Sequence, residues 1–206
     1  GQEAQHGKLH ETFNKAVLGH EYDIEPFLKW YKTTMFDFVE TQANKILGPK
    51  LALSITAAAE HFTATWAAHG LSSGYLEEHI TNQTLLDFMQ WHAVEAIEHK
   101  HVAFDVLQEV DDAYLLRVAG MLFCATLLPF VISVAFLSLI RQAKNLDIMA
   151  FVRDAMSEGK NGGIMSSFLP AIVEYMKPGF HPSDHDDYAM AKAVAERIEQ
   201  RMEKVA

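Results

Sequence analysis

Apolar residues recur at helical spacing through most of the chain. One such repeat includes Phe27, Trp30 and Tyr31, and it follows Pro26, a residue that suits the first turn of a helix. The sequence lacks the strict alternation of apolar and polar residues between tight turns that is typical of β-strands. The pattern therefore predicts an all-α fold. Helices are expected over residues 1–20, 27–47, 50–69, 81–110, 114–141, 145–158, 164–177 and 188–204, with a loop over 178–187.

The longest apolar run covers residues 118–140 of the fifth predicted helix. It contains no charged residue, and Arg117 and Arg141 bracket it. A helix of this length can cross the hydrocarbon core of a bilayer, whereas Pro129 and the small or polar residues inside the run argue against a span. Three interpretations stay open: a membrane span, a helix buried in the domain or in a subunit interface, and a contact with one membrane surface.

Composition and charge narrow the class of protein. Of the 206 residues, 50% are hydrophobic and 21% are charged, so residues 1–206 can form a single domain with a large core. The formal net charge of -10 argues against nucleic acid as a partner, because the phosphates would be repelled. The single cysteine, Cys124, excludes an internal disulfide framework and a cysteine-rich metal site. The first residues do not resemble a secretory signal, and a cytoplasmic location is expected.

Histidines and glutamates form two groups with the same spacing. In each group the residues stand at positions i, i+3 and i+7, and a turn of about 100° per residue keeps them within one stripe of a helix. The first group is Glu3, His6 and His10, and the second is His92, Glu95 and His99. Imidazole nitrogens and carboxylate oxygens suit iron, manganese or zinc, so the sequence predicts a site for a divalent transition metal, with two ions.

Glu60 is the expected additional ligand. It lies among Ala57, Ala58, Ala59 and Phe62, where an ionised carboxylate is costly unless a cation or a hydrogen bond compensates it. Three further residues are candidates to orient a ligand or to move a proton rather than to bind the metal. They are Glu98, His61 and His181.

Each of these residues also has a simpler interpretation. A single helical histidine is usually a surface residue or a core residue with ordinary partners, and Glu60 alone suits a salt bridge equally well. His61 and His101 lie about 100° around their helices from the ligand stripe, which favours surface or supporting positions. The loop over 178–187 is typical of a solvated turn.

Five segments of the chain carry a resemblance to a known family. They are Gln2-Glu3-Ala4-Gln5-His6 with His10, Ala59-Glu60-His61-Phe62-Thr63, Trp91-His92-Ala93-Val94-Glu95-Ala96-Ile97-Glu98-His99-Lys100, Phe104-Asp105-Val106, and Pro178-Gly179-Phe180-His181-Pro182. Together they resemble the bacterial family of predicted metal-dependent hydrolases. The resemblance implies a ferritin-like multi-helix bundle with extra C-terminal helices, one long apolar helix and a His/Glu dinuclear metal site. Relatives begin with a further glutamate-bearing helix, which we expect upstream of Gly1, and they have two adjacent acids where this chain has Glu95-Ala96.

Three functions are compatible with such a site. In a hydrolase, the metal ions activate water against a small apolar substrate, and the excess of histidine over glutamate ligands favours this function. In the alternative, a di-iron oxidase or oxygenase acts on a hydrophobic substrate. A non-enzymatic metal-binding or membrane-associated protein is the third hypothesis. We expect a homodimer that is located in the cytoplasm. Attachment to the inner membrane, or anchoring in it, through residues 118–140 stays an open alternative.

Overall fold

The computed structural model describes residues 7, 11, 22–35, 41–46, 48–144, 147, 149–150, 153 and 163–205. Within these ranges the chain is helical and contains no strand, so the all-α prediction is confirmed for this part of the protein. The ligand candidates Glu3, His6 and His10, and most of the helices predicted over 1–20 and 145–158, lie outside the described residues. The ferritin-like arrangement of the helices stays a prediction.

The described helices match the apolar pattern closely at three places. The helices predicted over 50–69, 114–141 and 188–204 are found with bounds that differ by at most three residues. In chain order the helices are α1 (Glu25–Tyr31), α2 (Thr41–Ile46), α3 (Pro49–Ser72), α4 (Tyr75–His79), α5 (Gln83–Glu98), α6 (Val102–Val110), α7 (Tyr114–Ile140), α8 (Phe168–Tyr175) and α9 (Tyr188–Val205). Short 3-10 turns cover Ile164–Ser167 and Pro182–Asp184.

The prediction of one continuous helix over 81–110 is wrong. Helix α5 ends at Glu98, a turn covers residues 99–101, and α6 begins at Val102. In a continuous helix, Lys100 would share the buried stripe of Ile97 and Phe104. The turn instead directs its ammonium group to oxygen atoms of the loop that precedes α9.

Three smaller differences concern short elements. Of the helix predicted over 27–47, the structure describes α1, a wider π-helical turn at 32–35 and α2, and residues 36–40 and 47 lie outside the described residues. The segment predicted as a helix over 164–177 starts as a 3-10 turn. Helix α4 was not predicted, and it begins directly after Gly74, whose φ of 75° is in the left-handed region that favours glycine.

Helix α3 is the centre of the structure. One side of it packs with α6, α7 and α8 around Phe62, Leu107 and Met121. The other side packs with α5 and α9, where Ile97 and Val194 are buried. Apolar layers thus cover two sides of α3. This packing holds in place the polar side chains that α3 carries between the two layers.

The two halves of α7 have different surroundings. Its buried residues, Arg117, Gly120, Met121 and Cys124, stand at positions i, i+3, i+4 and i+7 in the first half. A Cβ atom at Gly120 would lie 2.1 Å from the Ser54 hydroxyl oxygen, so only glycine allows α7 to approach α3 this closely. In the described part of the chain, α7 is the helix long and apolar enough to span a membrane. Of its most apolar 18-residue window, 6% is buried within the structure.

Candidate metal centre

Glu60 and His99 connect two helices through their side chains. Glu60 lies in the middle of α3, and His99 follows the last residue of α5. The His99 Nδ1 atom is 3.2 Å from Glu60 Oε2, and the two side chains are 19% and 26% exposed. Residues 39 positions apart in the sequence, 60 and 99, therefore meet at one point on the α3–α5 interface.

Glu95 and His92 precede His99 on α5, as the spacing predicts. Glu95 is 8% exposed, between the buried residues Val94 and Ala96. Its backbone carbonyl accepts a hydrogen bond of 3.2 Å from the His99 N–H, so the helical turn persists up to His99 although α5 ends there. His92 is half-buried. A carboxylate as buried as that of Glu95 needs a cation, a hydrogen bond or a proton to offset its loss of solvation.

The Glu60–His99 contact fits a shared metal ion. Ligand atoms about 2.0 to 2.2 Å from one ion, at tetrahedral or octahedral angles, are about 2.8 to 3.6 Å from each other. The observed separation of 3.2 Å lies in this range, and it also suits a hydrogen bond. No group of three or more histidine, cysteine or acidic side chains in the described ranges is arranged to hold a metal. The predicted ligands Glu3, His6 and His10 lie outside the described residues, so the seven-residue centre stays a prediction.

Glu98 and His101 flank this pair. The side chain of Glu98 is exposed. His101 is half-buried, and its Nδ1 atom is 3.1 Å from the hydroxyl of Tyr188 on α9. The proposed role of Glu98 in moving a proton stays a prediction.

His61 is buried on a different side of α3 from the Glu60–His99 contact. Its Nε2–H donates a hydrogen bond of 3.0 Å to the backbone carbonyl of Ala171. The ring lies between Tyr175 and Phe180, with centroid distances of 5.2 and 5.0 Å. Burial disfavours the charged imidazolium and lowers the pKa of His61 to about 4. The imidazole is therefore neutral at pH 7, and its contacts are those of a core residue.

His181 fastens the loop between α8 and α9. Its Nε2 atom is 2.8 Å from Asp105 Oδ1, and its Nδ1 atom accepts a hydrogen bond of 3.2 Å from the Ser183 N–H. Its own N–H donates to the Asp184 carboxylate at 3.0 Å. Because Nδ1 accepts, the proton is on Nε2, which donates to Asp105. Nε2 holds the loop to α6 and Nδ1 closes a turn within the loop, and the predicted role of His181 in catalysis stays a prediction.

Sequence reasoning missed Lys100. This lysine follows His99 directly and is only 3% exposed. Its ammonium group donates hydrogen bonds to the His185 carbonyl at 2.8 Å and to Asp187 Oδ2 at 3.2 Å, and it lies 4.7 Å from the centre of the Tyr188 ring. A lysine between Ile97 and Phe104 on an apolar stripe was the available signal, because a charge there requires buried partners.

Arg117 was seen only as a boundary of the apolar run. The structure buries it, and its guanidinium donates hydrogen bonds to the carbonyls of Tyr175 and Lys177, the second at 2.8 Å. These carbonyls belong to the last turn of α8 and the residues after it, where the helix itself supplies no donors. Arg117 therefore holds the C-terminal end of α8 against α7.

Comparison with known proteins gives one match. No curated protein and no solved structure matches the chain. A model of the family described as "Predicted metal-dependent hydrolase" matches residues 1–186, which include Glu60, His92, Glu95 and His99. Because this match covers most of the chain, the protein belongs to the family of predicted metal-dependent hydrolases.

Proposed function

We propose that the protein is a hydrolase whose site is built where α3 and α5 meet. The observation that carries the proposal is the 3.2 Å contact between Glu60 and His99, with the buried Glu95 four residues before His99. Family membership supports dependence on a metal. The ligands would be Glu60, His92, Glu95 and His99 from the described helices and Glu3, His6 and His10 from the N-terminal segment. Seven such donors suffice for two divalent ions, of iron, manganese or zinc.

The described residues have distinct tasks in this proposal. A metal at the site would supply Lewis acidity and lower the pKa of a bound water. Glu60 and His99 fix the distance between α3 and α5, and the buried carboxylate of Glu95 adds negative charge that favours a cation. Glu98 is exposed one residue before His99, a position from which a carboxylate can exchange a proton with solvent.

The proposed substrate is small and apolar. The first half of α7 packs on α3, where the Ser54 hydroxyl donates a hydrogen bond of 2.9 Å to the Leu116 carbonyl. Helix α7 lies on a different side of α3 from the Glu60–His99 contact, so the apolar substrate rests on the sequence and not on this packing. The net charge of -10 disfavours an anionic substrate.

Elemental analysis and an ester assay test the proposal. The protein is purified without added metal, its metal content is measured, and hydrolysis of short-chain p-nitrophenyl esters and phosphoesters is assayed for the wild type and His99→Ala. We expect zinc, manganese or iron in the wild type, and at least about a hundredfold loss of turnover in His99→Ala. His79→Ala is the matched control, because His79 is exposed on α4 and should leave both readouts unchanged.

Two results would overturn the proposed function. One is turnover of the esters by His99→Ala at the wild-type rate. The other is a protein that carries two irons with a charge-transfer band and hydrolyses none of the substrates, which would favour the oxidase.

A further inference from the structure

A small cavity lies between α3 and the loop that precedes α9. Its volume is about 150 Å³, and a protein cavity of about this size holds one benzene molecule. Helix α3 forms one side of the lining, and Pro182, His185 and Asp187 of the loop form another. Glu174 of α8 and the buried Lys100 complete its polar part. The space therefore suits a molecule of about six non-hydrogen atoms.

Helix α3 contributes two hydrogen-bond acceptors to the lining. The His61 ring is 4% exposed, and its Nε2–H is donated to the Ala171 carbonyl, which leaves Nδ1 as an acceptor without a hydrogen bond from any described residue. Thr65 lies one turn later, where its hydroxyl donates its only hydrogen to the His61 carbonyl at 2.8 Å and retains its lone pairs. A ligand that meets this side of the cavity must therefore donate hydrogen bonds.

The charged groups of the lining leave an excess of one negative charge. Asp187 offsets the Lys100 ammonium, because its Oδ2 atom is 3.2 Å from Nζ. Glu174 has no lysine or arginine partner among the described residues, and its Oε1 atom is 2.9 Å from His185 Nε2. With the histidines counted as neutral, the lining carries one positive and two negative charges. This excess favours a ligand with a positive charge.

The His61 ring lies near the excess charge and does not oppose a cation. Burial lowers the pKa of His61 to about 4, and the charge of Glu174 acts in the opposite direction, which places the carboxylate near the ring. The imidazole is therefore neutral at pH 7. A cation between Glu174 and His61 meets a carboxylate on one side and a neutral acceptor on the other.

Small apolar groups form the rest of the lining. Ala64 and Ala68 belong to α3, and Pro182 belongs to the loop. They provide apolar surface that a short hydrocarbon chain can cover. Water satisfies the acceptors alone, whereas a molecule with a cationic head and an apolar chain uses both parts of the lining.

We propose that this cavity binds a small primary amine in its ammonium form. The ammonium group donates hydrogen bonds to the Glu174 carboxylate, His61 Nδ1 and the Thr65 hydroxyl, and the alkyl chain lies against the alanines and the proline. No proposed metal ligand is among the described residues that line the cavity, so the proposal does not depend on the proposed function.

An NMR titration with three matched compounds tests the proposal. n-Butylamine, n-butanol and pentanoate carry the same butyl group and differ in the charge of the head. Each is added at pH 7 to the isotope-labelled full chain in the presence of a chelator, so that a metal ion cannot bind the amine. We expect saturable amide shifts at Thr65 and Asp187 with n-butylamine, with a Kd of about 1 mM. n-Butanol should bind at least about tenfold more weakly, and pentanoate should cause no saturable shift.

Three substitutions locate the amine. Glu174→Gln removes the excess negative charge and should raise the Kd for n-butylamine about tenfold. Thr65→Val replaces the hydroxyl by a methyl group of similar size and should raise the Kd about threefold. Ala68→Leu fills the cavity and should abolish the shifts. Glu196→Gln is the matched control, because Glu196 is exposed on α9 and should leave the Kd unchanged.

The proposal fails on any of three results. One is the absence of saturable shifts with n-butylamine, which would leave the cavity to water. Another is equal affinity for n-butylamine and n-butanol, because the ammonium group would then contribute nothing. The third is a wild-type Kd in both Glu174→Gln and Thr65→Val, which would place the amine elsewhere.

Discussion

Glu60 and His61 are neighbours on α3, yet their surroundings differ completely. Glu60 is partly exposed, and its described side-chain contact is with His99, itself a candidate ligand. His61 is buried, donates to the Ala171 carbonyl and is packed between two aromatic rings. The α5 side of α3 therefore brings candidate ligands together, and the α8 side brings together groups that the protein itself satisfies. The comparison predicts that changes on the first side alter metal binding and changes on the second alter stability.

The largest expected effect is that of Glu60→Gln on metal content. The amide keeps the size of the side chain and is a much poorer ligand than the carboxylate, so we expect metal affinity to fall by more than about a hundredfold. The free energy of unfolding of the metal-free protein should change by less than about 1 kcal/mol, because the pair with His99 is partly exposed. Elemental analysis and urea denaturation after chelation measure the two quantities.

Glu78→Gln is the control for this prediction, since Glu78 is exposed on α4. Wild-type metal content in Glu60→Gln would remove Glu60 from the ligand set. A large loss of stability with unchanged metal content would make Glu60 a structural residue like His61.

The second prediction concerns Arg117 on the α8 side of α3. Arg117→Ala should lower the free energy of unfolding by about 3 kcal/mol, because the carbonyls of Tyr175 and Lys177 lose a charged donor. Arg117→Lys should retain part of the stability, since the ammonium can reach one carbonyl. Denaturant titrations compare both with Arg197→Ala, an exposed position on α9. A loss equal to that of Arg197→Ala would show that α8 does not depend on this contact.

The third prediction is a pH dependence that comes from His61. The pKa of His61 is lowered from 6.5 to about 4 in the folded protein, so the unfolded chain binds more protons between these values. Stability from this residue is therefore complete above about pH 6.5 and falls as the pH drops toward 4. Between pH 7 and pH 5 the loss should be about 2 kcal/mol.

The variant His61→Gln isolates this contribution. Its free energy of unfolding should fall less between pH 7 and pH 5 than that of the wild type, although its stability at pH 7 is lower because the ring packing is lost. His79→Gln should retain the wild-type dependence. Parallel pH profiles for the wild type and His61→Gln would rule out His61 as the source.

The smallest expected effect on the free energy of unfolding comes from an exposed ion pair at the edge of the α8 side of α3. His185 Nε2 lies 2.9 Å from Glu174 Oε1, and the two side chains are 47% and 30% exposed. Such a solvated pair contributes little, so Glu174→Gln should change the free energy of unfolding by less than about 1 kcal/mol and leave the metal content unchanged. A loss of metal in this variant would extend the metal centre to the α8 side and end the distinction between the two faces.

The sequence predicts elements well where local signals agree. The bounds of α7 follow from an apolar run between the acidic pair Asp111-Asp112 and Arg141, and all of these signals are local. The division between α5 and α6 was missed because apolar residues continue at helical spacing across it. The turn depends on partners of Lys100 at positions 185 and 187, and no periodicity contains that information.

The candidate site shows the same limit. Helical spacing predicts that Glu60 and His61 lie on different sides of α3, because a residue one position further lies about 100° around the helix, and their side-chain contacts do differ. It did not show that His61 would meet the Ala171 carbonyl or that His181 would hold Asp105, since these contacts depend on the path of the chain after α7. The contact of Glu60 with His99 required only two helices to pack side by side, which a bundle provides.

Lys100 links the candidate ligand His99 to a distant part of the chain. Its ammonium group donates hydrogen bonds to the loop that leads into α9. The backbone position of His99 therefore depends on a segment more than eighty residues further along the chain. The C-terminal segment thus supports the backbone at the candidate ligand His99. A protein shortened before residue 178 would keep every proposed ligand. We expect it to hold the imidazole of His99 less rigidly and to bind the metal with lower affinity.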